Sequence, residues 1–280
     1  MREAVIVSTA RTGLAKSFRG GFNDTEAPAM GGHVVRAAVE RAGIDPAEVD
    51  DCIFGAAAQQ GTQAYNIGRL SGIAGGLPDS VAGMSIERQC SSGLMSIATA
   101  ARSIMCNEYD IAVAGGVESI SLVQTKHKNS YRNVSKTVTA IDPTAYMAML
   151  ETAEVVSERY GISREAQDEY SLQSQQRTAA AQQEGRFDDE IVPMSTVKAV
   201  FDKETKETRI GVTLSGERGP PTITAIAPPP ALAHGTLRVG DVIVAINDWS
   251  ANGHSETTAR LKRLQGRLRI RLQKRGVYSK

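Results

Sequence analysis

Cys90 stands in the run Gln89-Cys90-Ser91-Ser92-Gly93, between an apolar stretch that ends at Ile86 and a helical pattern that begins near Leu94. A cysteine at the start of a helix sits where unpaired N–H groups and the helix dipole favour an anion, the state in which a thiol attacks. The same N–H groups suit an oxyanion developing on a carbonyl under attack. Ser91, Ser92 and Gly93 are small enough to let a substrate reach the backbone. That is the chemistry of a covalent thioester. Position alone leaves a second reading open, since free cysteines are commonly buried and inert. Cys52, inside Asp51-Cys52-Ile53-Phe54-Gly55, and Cys106, near a helix end, fit that second reading.

Other chemistries find less support. The three cysteines and the four histidines (His33, His127, His234 and His254) show no paired spacing such as Cys-x-x-Cys or His-x-x-x-His, so no metal site is expected. There is no Gly-x-Gly-x-x-Gly and no P-loop, and no tightly bound cofactor is indicated. The Gly-Gly pairs at Gly31, Gly75 and Gly115 read as turns and close packing. An odd, widely spaced set of cysteines gives no disulfide framework and suits a reducing, cytoplasmic compartment. The N-terminal apolar run is too short for a signal peptide, and no stretch approaches the ~18 apolar residues of a membrane span.

Nine Lys or Arg and no Asp or Glu fall between Arg260 and Lys280, although the whole chain carries only +1. Arg267, Arg269 and Arg271 alternate with Leu268, Ile270 and Leu272, which is the pattern of a half-buried strand with a charged outer face. No aromatic stacking residues accompany the charge, so nucleic acid is not the expected partner.

The elements that must position Cys90 follow from periodicity. Ala4–Val7, Asp51–Gly55, Met84–Ile86 and Ile111–Ala114 read as short buried strands, and Met30–Ala42 as a helix closed by Gly43. Leu94, Ile97, Ala98, Ala101, Ile104 and Met105 keep helical spacing on more than one side, which predicts a buried helix. Such alternation argues for a layered α/β domain with parallel pairing. From Leu150 to Gln183 two polar helices are expected, one stopping at Gly161 and the next capped by Ser163. Beyond Val197 come short strands, Val212–Leu214, Thr222–Ile226, Val242–Ile246 and Leu268–Leu272, with one helix over Ser255–Leu264.

Ala10-Arg11-Thr12, Asn66-Ile67-Gly68-Arg69, Cys90-Ser91-Ser92-Gly93-Leu94 and Ala114-Gly115-Gly116-Val117-Glu118-Ser119 resemble, in order, the motifs of the thiolase family. Met149-Leu150-Glu151-Thr152-Ala153-Glu154 resembles its Met-Gly-x-Thr-Ala-Glu segment, with Leu150 in place of Gly and Ala148 where many members have His. Gly185-Arg186-Phe187-Asp188-Asp189-Glu190-Ile191-Val192-Pro193 is similar to a later family segment. The resemblance covers roughly residues 1–205. It implies an acetyl-CoA acyltransferase in which Cys90 accepts an acyl group from a coenzyme A thioester and Met149 neighbours the pantetheine arm. The family's Asn-Ala-Ser segment, its Gly-His-Pro segment with the activating base, and its second catalytic cysteine do not occur in the sequence. The resemblance therefore implies an incomplete, truncated thiolase that self-associates through the apolar face left by its missing half.

Leu237-Arg238-Val239-Gly240-Asp241-Val242-Ile243-Val244-Ala245-Ile246-Asn247 resembles the strongest signature of the PDZ family, departing at Asp248 and at Pro228-Pro229-Pro230. Ile210-Gly211-Val212 then resembles its carboxylate-binding loop, and His254, Thr258 and Leu261 fall in register with its groove helix. By this resemblance the module adds the C-terminal peptide of another protein to a sheet edge. The expectation is an α/β chain with a thiolase N-terminal domain and its helical loop region over residues 1–205, and a small β-rich PDZ-like domain over 206–280. Two functions follow: a thiolase-type acyltransferase working through a Cys90 thioester, or a peptide-binding interaction protein carrying an inactive thiolase remnant.

Overall fold

The computed structural model describes residues 2–274 apart from 19, 206, 218–219, 229–236, 238 and 248. Pro229, Pro230, His234, Arg238 and Asp248, all singled out in the sequence, lie outside the described residues. The chain forms two compact units, one of residues 1–128 with 190–280 and one of residues 129–189.

The first unit begins with α1 (Ala27–Ala42), which has Pro28 in its first turn and Gly43 closing it in the left-handed region at φ 68°. There follow β1 (Asp51–Gly55), α2 (Ile67–Gly75), β2 (Ala82–Ile86), α3 (Ser92–Met105), β3 (Ala112–Gly116) and the short α4 (Ile120–Val123). The strands pair in parallel in the order β2-β1-β3. A parallel strand covered on both faces must be a continuous apolar run, and Cys52, Ile53 and Phe54 of the central β1 are fully buried. Right-handed crossovers running in opposite directions from β1 and β2 place α2, with α1 packed on it, on one face and α3 on the other. α1 and α2 approach closely because Gly31 and Gly32 lie directly on Ser71 and Ala74, where any side chain would collide. Val35, Val39, Val49, Ile67, Leu77 and Val81 complete this core.

Two expectations fail here. Ala4–Val7 is not a strand: among the described residues the backbone of Ala4–Ala10 bonds to no other backbone segment, and a strand exists only against a partner edge. Nor is α3 buried. Only Ser92, Ser96 and Ala100 are enclosed, while Leu94 is 71% and Ile97 39% exposed. The helix rests on the sheet through its small residues, Met95, Ile104 and Met105 are half-buried, and Leu94 and Ile97 stay exposed.

The second unit is helical, with α5 (Lys136–Ile141), α6 (Met149–Tyr160) and α7 (Arg164–Gln183). Ser163 caps α7 by accepting from the Ala166 N–H at 3.2 Å, and Gly161 ends α6 in the left-handed conformation, as the sequence predicts. α5, α6 and α7 bury no residue, in keeping with their polar composition.

The C-terminal module is a separate antiparallel sheet of β4 (Ser195–Lys203), β5 (Val212–Ser215), β6 (Thr222–Ile226), β7 (Asp241–Ile246), β8 (Trp249–Ser250) and β9 (Gly266–Lys274), with α8 (His254–Arg263) before the last strand. The order is β4-β9-β7-β6-β5, with β8 paired to β7. Its first strand lies ahead of residue 206. Leu268, Ile270 and Leu272 are fully buried while Arg267 and Arg269 face outward, the alternation expected of β9. Phe201, Leu214, Ile223, Ile243, Ile246 and Leu261 pack on them. Lys203 is buried at the end of β4, and its Nζ donates to the Leu261 and Lys262 carbonyls at 3.2 and 3.0 Å, satisfying the C-terminal end of α8.

Candidate acyl-transfer site and peptide groove

The turn carrying Cys90 is built by its neighbours. Gln89 is held at φ 50°, a left-handed conformation that costs energy for a residue with a side chain. Three bonds over-determine it. The Gln89 N–H donates to Glu87 Oε1 at 2.6 Å, the Arg88 N–H donates to Ser92 Oγ at 2.8 Å, and Ser92 Oγ donates to the Gln89 carbonyl at 2.6 Å. Ser92 is itself buried. The chain then enters α3 with Cys90 exposed. Ser91 does not cap the helix, because its hydroxyl donates to the Arg88 carbonyl at 2.8 Å instead.

Glycine at three positions sets where this turn sits. A Cβ on Gly55 would strike the Ser92 carbonyl, and one on Gly116 would come within 2.9 Å of the Gly55 oxygen and 3.1 Å of the Gly93 Cα. The first turn of α3 therefore rests on the C-terminal ends of β1 and β3, the edge where ligands bind in open α/β sheets. An exposed thiol on that edge, in front of a helix start without a side-chain cap, can attack a carbonyl carbon and leave the resulting oxyanion near N–H donors.

The other cysteines differ from it and from each other. Cys52 is buried, and burial, with the nearby Asp51 charge as a lesser cause, pushes its thiol up to about 12. It stays neutral and inert at ordinary pH, as expected. Cys106 is exposed at the C-terminal end of α3 and does not share that burial.

The motif residues around the site are braces. Glu118 accepts from the Ala57 N–H at 2.8 Å and from the Gln63 amide at 2.7 Å, and Gln63 accepts from the Ser119 N–H at 2.5 Å. Together they tie the loops that follow β1 and β3. Gln63 is fully buried, and the sequence does not single it out, because an isolated amide among small residues carries no periodic signal. Asn66 caps α2 through the Arg69 N–H at 3.0 Å and reaches the Gly83 carbonyl at 2.6 Å. Arg11 pairs with Glu190 at 2.9 Å. Met149 opens α6 in the helical unit and is 73% exposed.

In the C-terminal module Ile210 is buried, Gly211 takes φ 78°, which favours glycine, and Val212 begins β5. α8 packs beside β5, with His254, Thr258 and Leu261 spaced along one side of the helix. Leu261 is enclosed in the same core as Ile210. The His254 Nδ1 lies 3.1 Å from the Gly216 carbonyl, which can only accept, so Nδ1 donates there and in the neutral ring Nε2 is an acceptor. Nε2 faces the Ser255 hydroxyl at 3.3 Å. Among the described residues no group of three or more His, Cys, Asp or Glu is gathered for a metal ion, and no helix is long and apolar enough to cross a membrane.

Residues 4–216 match the family description "Thiolase, N-terminal domain", and residues 198–273 match "PDZ domain". The chain is 40% identical over 206 residues to a 3-ketoacyl-CoA thiolase of Bacillus subtilis (strain 168), covering 74% of this chain and 52% of that protein. It is 38% identical over 233 residues to an acetyl-CoA acetyltransferase of Cupriavidus necator, covering 78% and 59% respectively. The crystal structure of the Bacillus anthracis acetyl-CoA acetyltransferase superposes with a TM-score of 0.60 at 30% identity, over 88% of this chain and 70% of that one. The chain thus spans about half the length of the curated relatives it matches. With three quarters of its residues in that match, the chain belongs to the thiolase family through its N-terminal domain, and a PDZ domain follows.

Proposed function

We propose that the N-terminal domain takes an acyl group from an acyl-coenzyme A thioester onto Cys90. The observation that carries this reading is the exposed Cys90 thiol on the C-terminal edge of the sheet, on a turn fixed by Ser92 and seated on glycine. The sulfur attacks the thioester carbonyl, the C–S bond to coenzyme A breaks, and the thiol proton leaves with coenzyme A. The products are an S-acyl enzyme and free coenzyme A. Met149 is assigned to the pantetheine arm by the family motif. The reading covers this loading half-reaction, in a reducing cytoplasmic compartment that keeps the thiol free. Leu94 and Ile97, left in water on α3, support self-association of the domain. Intact-protein mass spectrometry after exposure to acetyl-CoA tests the loading step. A single acetyl adduct that disappears in Cys90→Ser supports it, and an adduct that survives in Cys90→Ser refutes it.

A second reading concerns the PDZ domain, and the His254 tautomer favours it. With Nδ1–H held by Gly216, Nε2 can accept from the hydroxyl of a Ser or Thr two residues before a peptide C-terminus. The Ile210-Gly211-Val212 loop would take the terminal carboxylate, and Leu261 with Ile210 and Val212 the last apolar side chain. Peptide titration with free and amidated C-termini tests it; equal affinities would refute it.

A further inference from the structure

A cleft of about 760 Å³ runs through the first unit between the Ala4–Ala10 segment and the outer edge of β3. It is lined by Val34, Val35 and Ala38 of α1 from one face of the sheet and by Ile97, Ala101 and Ile104 of α3 from the other. Its two walls are polypeptide edges. The Asp50 N–H donates to the Ile111 carbonyl and the Val117 N–H to the Gly55 carbonyl. In a parallel ladder this fixes the parity of β3: Val113 and Gly115 turn their backbone groups toward β1, and Ala112, Ala114 and Gly116 turn theirs into the cleft. Among the described residues no other backbone segment bonds these three.

The facing wall is equally open. Ala4–Ala10 pairs with no strand, and Val5, Ile6 and Val7 are 72, 74 and 74% exposed. The segment is pinned along its length, which keeps it from folding onto β3. Arg2 holds Asp110 at 2.5 Å, Ser8 Oγ donates to the Ala38 carbonyl at 2.6 Å, and the Thr9 carbonyl accepts from Arg41 at 2.6 Å. Arg11 holds Glu190 just beyond.

We propose that this cleft is a docking slot for one extended strand of another polypeptide, apolar on both of its sides, which pairs with β3 and extends the sheet. The occupant follows from complementarity. A row of outward N–H and C=O groups is matched only by a partner that offers the same groups in strand spacing. Helices over both faces require apolar side chains on both sides of that strand. The five residues of β3 set its length at about 17 Å, or about five residues. A small apolar ligand would fill the volume and leave both backbone rows unpaired. The slot uses neither Cys90 nor the PDZ groove, so it stands apart from both functions proposed above.

The probe is a fluorescent peptide, Lys-Thr-Val-Ile-Val-Thr-Lys, amidated at its C-terminus so that the Ile210-Gly211-Val212 loop has no carboxylate to hold. Titrated against the full chain, it is expected to bind saturably and to slow hydrogen exchange at Ala112, Ala114 and Gly116. Methylating alternate peptide nitrogens should weaken it at least tenfold. So should Ala114→Pro, which removes an outward N–H and leaves the bonds to β1 in place. If that variant does not fold, the methylated peptide still decides. Absence of binding, protection falling on β5 in place of β3, or equal affinity of the methylated peptide would each overturn the proposal.

Discussion

Arg11 and Glu190 grip each other twice: guanidinium to carboxylate at 2.9 Å, and the Arg11 N–H to the Glu190 carbonyl at 2.9 Å. The Val192 N–H returns to the Arg11 carbonyl at 2.8 Å. These contacts join the Ala10-Arg11-Thr12 motif to the Gly185–Pro193 motif, which are distant in sequence. The ion pair is partly exposed, so screening keeps its share small, about 0.2–1 kcal/mol. A double-mutant cycle with Arg11→Ala and Glu190→Ala, read by urea denaturation, should return a coupling in that range that falls as salt is raised. A coupling of zero would show that the backbone bonds alone hold the junction.

Alkylation should separate the three thiols. At about pH 8 a thiol pushed up to about 12 is ionised in roughly one molecule in ten thousand. Iodoacetamide should therefore label Cys90 and Cys106 and spare Cys52 until the chain is unfolded. Peptide mapping after a timed reaction reads this directly, and prompt labelling of Cys52 would contradict its burial.

The same residue gives a pH dependence. Because the folded-state value is raised, the contribution of Cys52 to stability is complete below its ordinary value of 9.0 and is lost as pH rises toward about 12. The urea midpoint should fall between about pH 8 and about pH 10.5, and fall less in Cys52→Ala. Parallel declines in the two proteins would assign the loss to other groups.

Gly55→Ala should disturb the site and the fold together. The added methyl meets the Ser92 carbonyl, a backbone atom that cannot swing aside. A cost of about 1–3 kcal/mol is expected for such overpacking, with Cys90 acylation slowed beyond what the unfolded fraction explains. Gly43→Ala is the contrast, since its left-handed φ is strained but the space around it is open. It should cost about 1 kcal/mol and leave acylation unchanged.

In the PDZ domain, His254→Ala should weaken peptides with Ser or Thr two residues before the end several-fold, about 1 kcal/mol, and leave other ligands little changed. Lys203→Met should act on stability instead, because it strips two bonds from the end of α8. A loss of about 1–3 kcal/mol is expected in thermal or urea melts. A fully stable Lys203→Met domain would mean that water satisfies those carbonyls as well.

Much of the architecture could be read from periodicity, because β1, β7 and β9 bury side chains in patterns that residue types report directly. The failures lie where a partner decides. Val5-Ile6-Val7 has the composition of a buried strand, yet composition does not say whether an edge lies within reach. The α3 spacing reports apolar residues on several sides without saying which sides are covered. Cys90 was legible as a position and a motif. The bracing by Ser92, Gln63 and Glu118 was not, since it depends on distances between loops that no local pattern encodes. The His254 tautomer likewise depends on a carbonyl in the turn after β5, far from the helix in sequence.

The register of β4 against β9 places Ser195 opposite Gln273. The PDZ domain is thus entered and left at neighbouring points, at one end of the paired strands β4 and β9. A module with adjoining ends behaves as a cassette: it can be gained, lost or exchanged by recombination without removing a strand from the parallel sheet of its host. The joining of a PDZ domain to a thiolase domain then demands little structural change in either.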